Sequence, residues 1–354
     1  MGASLTMVCL TGCADIGYYL QAARGQLHMM QAARPIETWL QEEATPPELK
    51  RQLELARRLR VFAVEVLHLP DNASYHRYAD LGRRAAVWNA TAAPPYSLKL
   101  KTWCFPVTGC IGYRGYFDER DAQALAMQLR RDGLEASVYG VPAYSTLGWL
   151  NWLGGDPLLN TFISYPEGEL ARMLFHELAH QLVYVQDDTT FNESFATAVE
   201  RLGSARWLAT QAGEDARAEY ARFDSRRRAF RALMLATRER LEAVYADTDS
   251  PVPMAERKAQ AMASFRSEYE ALKRERWQGY AGYDAYVERA NNASFGVQAA
   301  YDGLVPSFEA LFEREGGDWP RFYAAVHALA ARPKAERDHA LALLRPRTEV
   351  ARMD

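Results

Sequence analysis

Apolar residues recur at helical spacing through most of this chain, and one stretch stands out. Leu170, Met173, Leu174, Leu178 and Leu182 recur at helical apolar spacing, with no Gly or Pro across residues 169–186. That spacing predicts an amphipathic helix. Pro166 suits its first turn, where a missing N–H needs no partner. Glu167 and Glu169 put negative charge at the positive end of the helix dipole. Phe175, Leu178, Ala179, Gln181 and Leu182 are all uncharged, as a buried helix requires. Asp187 and Asp188 then read as turn residues. Thr190-Phe191-Asn192-Glu193 reads as a capping box that puts Glu193 in the first turn of a second helix.

Helices dominate elsewhere too. Ala14 to Ala33 reads as a helix, and Thr45-Pro46-Pro47-Glu48 as a capping box opening another that runs to about Leu67. Residues 85–117 turn extended, with strands expected over Ala85–Ala90 and over the alternating segment Leu98–Trp103. A helix over Glu119–Arg131 and a strand over Ala136–Tyr139 make a strand–helix–strand unit, and Thr161–Ser164 reads as a short strand before the central helix. Tyr144–Trp149 is a candidate edge strand for pairing with an extended peptide. Beyond Glu200, Arg206–Ala246 and Met254–Trp277 form an expected helical hairpin that projects from the body, its Arg and Glu residues making a solvated face. Val305–Phe312 and Pro320–Ala331 should close one wall of a cleft. The fold class is α+β and predominantly helical: a central helix pair beside a small mixed β-sheet, with a long helical hairpin.

The central helix carries His176-Glu177-Leu178-Ala179-His180, an HExxH motif. With about 3.6 residues per turn, the two histidines stack on one face and can bind a single Zn²⁺. Glu177 stands beside them as a general base for a water. Catalytic zinc usually takes three protein ligands. The continuation that would supply a third histidine is missing, since Val183 and Gln186 stand where it needs Gly and His. Glu193 is the favoured third ligand, on the strength of the residues around it, whose resemblance is given below, rather than of its spacing. Glu200, on the same helix face, is a rival, and Asp187 and Asp188 are weaker ones.

The N-terminus changes the expected location. Leu10-Thr11-Gly12-Cys13 is a lipobox, after which Cys13 would be lipidated and become the first mature residue. No Lys or Arg precedes the apolar run Ala3–Leu10, so the basic part of a signal is deficient, and the true start is open. Ala14 after the cysteine implies sorting to the outer membrane of a Gram-negative bacterium, facing the periplasm. An oxidising periplasm would let Cys104 and Cys110 bridge a hairpin; two reduced thiols are the alternative. The organisation expected is a signal peptide (1–12), an N-terminal helical region (13–84), a small α/β region (85–165), zinc-binding catalytic helices (166–204) and a C-terminal helical region with the hairpin (205–354), in one compact catalytic unit.

Composition adds bounds. The 354 residues are 49% hydrophobic and 25% charged, ordinary for a globular protein that can bury a large core. A net charge of -3 argues against nucleic acid as a partner. After the signal no apolar run approaches the roughly 20 residues of a membrane span, so membrane contact is expected through the lipid alone.

His176 to Gln181, followed by Asp187-Asp188-Thr189-Thr190-Phe191-Asn192-Glu193-Ser194-Phe195-Ala196, resembles the family of predicted bacterial aminopeptidase lipoproteins. Gly17–Ala22 with Gly25–Leu27, Arg34-Pro35-Ile36, Trp103–Pro106, Gly109-Cys110, Tyr113–Phe117 and Tyr144–Trp149 carry the same resemblance over most of the chain. Asn192–Ala196 is also similar to the Asn-Glu-Gly-Phe-Ala segment that carries the glutamate ligand in gluzincin aminopeptidases, although Glu193 follows His180 more closely than in the best-known of them. The resemblance implies a zinc aminopeptidase acting on periplasmic peptides. The Gly-x-Met-Glu-Asn element that binds a substrate N-terminus in one large aminopeptidase family is absent. An envelope endopeptidase and a non-catalytic zinc-binding lipoprotein are the other readings. Glu200 is a candidate for holding a free amine, and Tyr301, Tyr184, Tyr165 and His327 are candidate transition-state donors.

Overall fold

The computed structural model describes residues 6–105, 109–144, 146 and 154–345, the side chains of 6–15 and 298–302 apart. In chain order the N-terminal part comprises α1 (Thr6–Ala32), β1 (Arg34–Pro35), α2 (Ile36–Gln41), α3 (Pro47–Glu65) and β2 (Arg77–Ala79). A strand-rich segment follows: β3 (Val87–Ala93), β4 (Trp103–Phe105), β5 (Gly109–Ile111), β6 (Arg114–Tyr116), α4 (Glu119–Arg131), β7 (Glu135–Val141) and β8 (Leu158–Leu159). The remainder is helical: α5 (Glu167–His180), α6 (Thr189–Thr210), α7 (Glu214–Ala246), α8 (Met254–Glu275), α9 (Asp284–Arg289), α10 (Asn292–Asp302), α11 (Val305–Arg314), α12 (Trp319–Ala330) and α13 (Lys334–Leu344). The protein is thus α+β and predominantly helical, as its periodicity predicts.

Among the described residues the strands form three small sheets rather than one. β6, β3 and β7 make an antiparallel sheet in that order, β1, β2 and β8 a mixed one, and β4 and β5 a hairpin. Along β3 the two-residue period sorts the side chains. Ala92 packs with Ala126, Leu129 and Ala136 under α4, while Asn89 and Thr91 line a cavity on the other face. The sheet therefore offers this cavity a face, not an edge. Tyr144 and Thr146 lie outside any strand, and the rest of the expected edge strand falls outside the described residues.

Several boundaries differ from expectation. Residues 98–102 form no strand: Leu98 turns into the core beneath α7 and α8. The strand expected at Thr161–Ser164 is a turn, and the pairing with β2 lies upstream at Leu158–Leu159. α5 stops at His180, where Gln181 is the C-cap and its side chain ties the chain to Ser74 (3.2 Å) and Asn72 (2.7 Å). The Thr45 capping box is not made, and Pro46 occupies the N-cap of α3. The long helix expected from Arg206 is broken at residues 211–213, since Gly213 starts α7 in extended conformation.

One apolar core joins α3, α5 and α6 to α11, α12 and α13, with Phe175, Phe191, Phe195, Phe308 and Phe322 buried in it. The α7–α8 hairpin has its own core around Phe230, Phe265 and Tyr269. Its outer face carries charge pairs, such as Arg240 with Glu268. Its inner face is not solvated, because Arg227 reaches Glu169 on α5 at 2.7 Å. Cys13 lies on α1 in the part without described side chains.

Candidate metal centre and active site

α5 and α6 pack along each other, and their contact brings the candidate ligands together. Asp188 caps α6 by accepting the Phe191 N–H (3.1 Å), so the helix starts earlier than the capping box at Thr190 would place it. Glu193 consequently sits in the second turn. Asn192 holds the connecting loop onto this helix, since its side chain accepts from Val185 N–H and donates to Val185 C=O, both at 2.8 Å. With the loop so fixed, Glu193 faces back to α5 despite its short separation from His180.

The atoms converge on one point. His176 Nε2 and His180 Nε2 are 3.1 Å apart, and Glu193 Oε2 is 3.4 Å from the first and 3.7 Å from the second. Among the described residues these three form a group whose ligand atoms all lie within 4.8 Å of one another. Glu200 is not part of it. It sits behind His176, with Oε2 3.0 Å from Nδ1, and its other oxygen accepts from Arg172. A carboxylate on Nδ1 makes that nitrogen the protonated one and leaves the Nε2 lone pair facing the other two ligands. Three lone pairs aimed at one point repel unless a cation or proton lies between them. This donor set of two imidazoles and a carboxylate suits zinc.

The electrostatics follow the geometry. Burial raises the Glu193 carboxyl, but His180 and His176 outweigh it and hold the group well below its usual range. Burial likewise opposes ionisation of Glu200, which Arg172 and His176 overcome, to about 2. Burial disfavours a charged His176, yet its bonds to Glu193 and Glu200 push its pKa well up. Glu177 differs. Burial raises its pKa against the pull of His176 and His180. Its carboxylate lines the cavity beside the histidines and makes no hydrogen bond among the described residues. Behind it lies buried Tyr75 at φ 67, a left-handed backbone unusual for a bulky residue, held by its N–H on Asp156 C=O at 2.7 Å.

The cavity has a volume of about 850 Å³ and reaches from this centre to the β6–β3–β7 sheet, α1 and α9. Asp187 and Asp188 are engaged elsewhere, Asp187 accepting from Cys110 N–H (2.6 Å) and Asp188 pairing with Arg337 (2.6 Å). Cys104 and Cys110 are disulfide-bonded across β4 and β5. Of the candidate donors, Tyr165 and Tyr184 line the cavity, His327 sits exposed on α12 away from it, and the Tyr301 side chain is outside the described part. Sequence reasoning missed Tyr113 and Tyr139. Both line the cavity, and burial, aided by the nearby Glu193, raises their phenols, Tyr139 to about 12. Strand alternation was the available signal for Tyr139, two residues from Ser137 on the same face of β7.

Comparison with known proteins adds a family. A family model described as "putative aminopeptidase" matches residues 17–341, which include α5, α6 and the cavity walls. No curated protein and no solved structure matches the chain. The extent of the match makes the conclusion plain: the chain belongs to this aminopeptidase family.

Proposed function

We propose that the protein is a zinc-dependent aminopeptidase, with one zinc held by His176, His180 and Glu193 and with Glu177 as general base. The observation that carries this reading is the convergence of three ligand atoms within 4.8 Å beside a half-buried carboxylate, that of Glu177, with no hydrogen-bond partner among the described residues. Bound zinc supplies Lewis acidity toward a peptide carbonyl and acidifies a water. Glu177 takes a proton from the attacking water and passes it to the leaving amine. Burial suits this role, because it makes the carboxylate a stronger base than a solvated one. Glu200 and Arg172 act from behind, fixing the His176 ring and its tautomer. Glu200 is fully engaged there, which disfavours it as the group that holds a free amine.

The lipobox ending at Cys13 and the Cys104–Cys110 bridge support a lipid-anchored protein at the outer membrane, facing the periplasm. Among the described residues no helix is long and apolar enough to cross a membrane. The test of the activity is hydrolysis of aminoacyl and short peptide substrates by zinc-loaded protein. Glu177→Gln should keep its zinc and lose about 10²- to 10⁴-fold in kcat. Hydrolysis that persists unchanged in that variant would remove Glu177 from the chemistry.

A further inference from the structure

We infer that the cavity selects short peptides bearing a carboxylate, received by Arg289, an inference that rests on the peptidase reading above. The charged side chains lining the cavity lead to it. Its carboxylates are Glu169, Glu177, Glu193 and Glu200. Glu193 faces the two histidines and Glu200 bridges Arg172 and His176. Glu169, about 10 Å up α5 from His176, is paired with Arg172 at 3.2 Å and Arg227 at 2.7 Å. Only Glu177 lacks an ion pair among the described residues, and it is the proposed base. Among the described residues a substrate ammonium group therefore meets no cavity carboxylate without an ion pair other than that base.

The cations are not balanced in the same way. Arg289, from α9, lines the cavity, and its hydrogen bond among the described residues runs from Nε to Ala285 C=O of its own helix, at 2.8 Å. That bond steadies the guanidinium and leaves both terminal amino groups without a carboxylate. Their parallel N–H bonds form the fork that receives a carboxylate in bidentate fashion. Arg231, which has contacts of its own, adds positive charge to the same cavity. Arg289 is exposed, so a peptide reaches it from solvent without opening the core. At about 850 Å³ the cavity has the size that buries a small ligand, so both ends of a di- or tripeptide fit within it. The carboxylate can be the C-terminus of such a peptide or an acidic side chain.

Binding and cleavage of one peptide set separate these outcomes. The probes are Ala-Phe-Ala as free acid and as C-terminal amide, N-acetyl-Ala-Phe-Ala acid, and Ala-Glu-Ala amide. Binding is measured by fluorescence titration of the zinc-loaded Glu177→Gln protein, and hydrolysis with the wild type. The acid should bind about tenfold more tightly than its amide, and Arg289→Gln should erase that difference while Arg289→Lys keeps part of it. N-acetylation should change binding little. Ala-Glu-Ala amide matching the acid would show that a side-chain carboxylate serves as well as the C-terminus; matching the Phe amide would confine recognition to the C-terminus; binding more tightly than both Phe peptides would assign it to a side chain. Equal binding of the acid, its amide and Ala-Glu-Ala amide, binding of none of the probes, or a preference that survives Arg289→Gln (the carboxylate then resting on the metal) overturns the inference. Peptides bound with the expected preference but not hydrolysed would overturn the peptidase reading alone.

Discussion

Glu200 shows how much one residue's partners decide. It lies seven positions after Glu193 on the same helix, so periodicity makes the two equivalent as ligands. Packing separates them: Glu193 reaches the Nε2 side of His176, while Glu200, with 6% exposure, reaches the Nδ1 side and meets Arg172. HExxH was legible because it needs only one helix. The division of labour between two glutamates was not, because it depends on where Arg172 lies on the neighbouring helix. A test follows at this scale. Glu200→Gln removes the charge that orients His176 and should weaken zinc binding about 10- to 100-fold, read by competition with a chromophoric chelator. Unchanged affinity would mean that packing alone holds the imidazole.

Among the elements, the connection between α5 and α6 sets the spacing of the proposed metal ligands, and two devices hold it. Asp188 caps α6 and forms a buried pair with Arg337, 149 residues away. The local sequence read Asp188 as a turn residue and Thr190 as the cap, because the arginine that holds Asp188 lies far along the chain. Burial opposes the charge on Asp188, but its bonds to Arg337 and the Phe191 N–H lower its pKa overall. A lowered folded-state pKa gives stability that is present above the unfolded value, about 4, and lost as pH falls below it. Asp188→Asn should therefore cost roughly 3–5 kcal/mol at pH 7. The gap to wild type should narrow in denaturant titrations as the pH drops below about 4. A gap independent of pH would remove the charge from the explanation.

The second device is the β4–β5 hairpin. Its Cys110 N–H donates to Asp187, whose φ of 63 marks the tight return of the chain. Gly109 lies so close that a Cβ there would strike the Asp187 side chain. The disulfide closes this hairpin, and Phe105 and Ile111 carry it into the cavity wall. Replacing both cysteines by serine should cost about 2 kcal/mol, from the loop-closure entropy of a short ring. Denaturation midpoints of the oxidised, reduced and double-serine proteins measure it, and identical midpoints for all three would contradict the clamp.

At the scale of the molecule, local and distant contacts differ in how well the sequence reports them. Helices were legible because their hydrogen bonds and apolar stripes lie within a few residues. The sheets were not, because β2 pairs with β8 through Tyr78 and Leu158, and β3 meets β6 and β7 across α4 and the hairpin. Nor did periodicity reveal that the hairpin's inner face turns to α5, where Arg227 extends the chain of charges from Glu200 and Arg172 through Glu169. The cavity is a product of these long-range pairings. The account rests most directly on metal content: zinc per chain in protein prepared with excess zinc and then freed of loosely held ions, for wild type and for Glu193→Gln. It predicts about one zinc per wild-type chain and loss of that zinc in a variant whose circular dichroism is unchanged. A wild-type protein that retains no zinc, or a Glu193→Gln protein that retains it fully, would contradict the account.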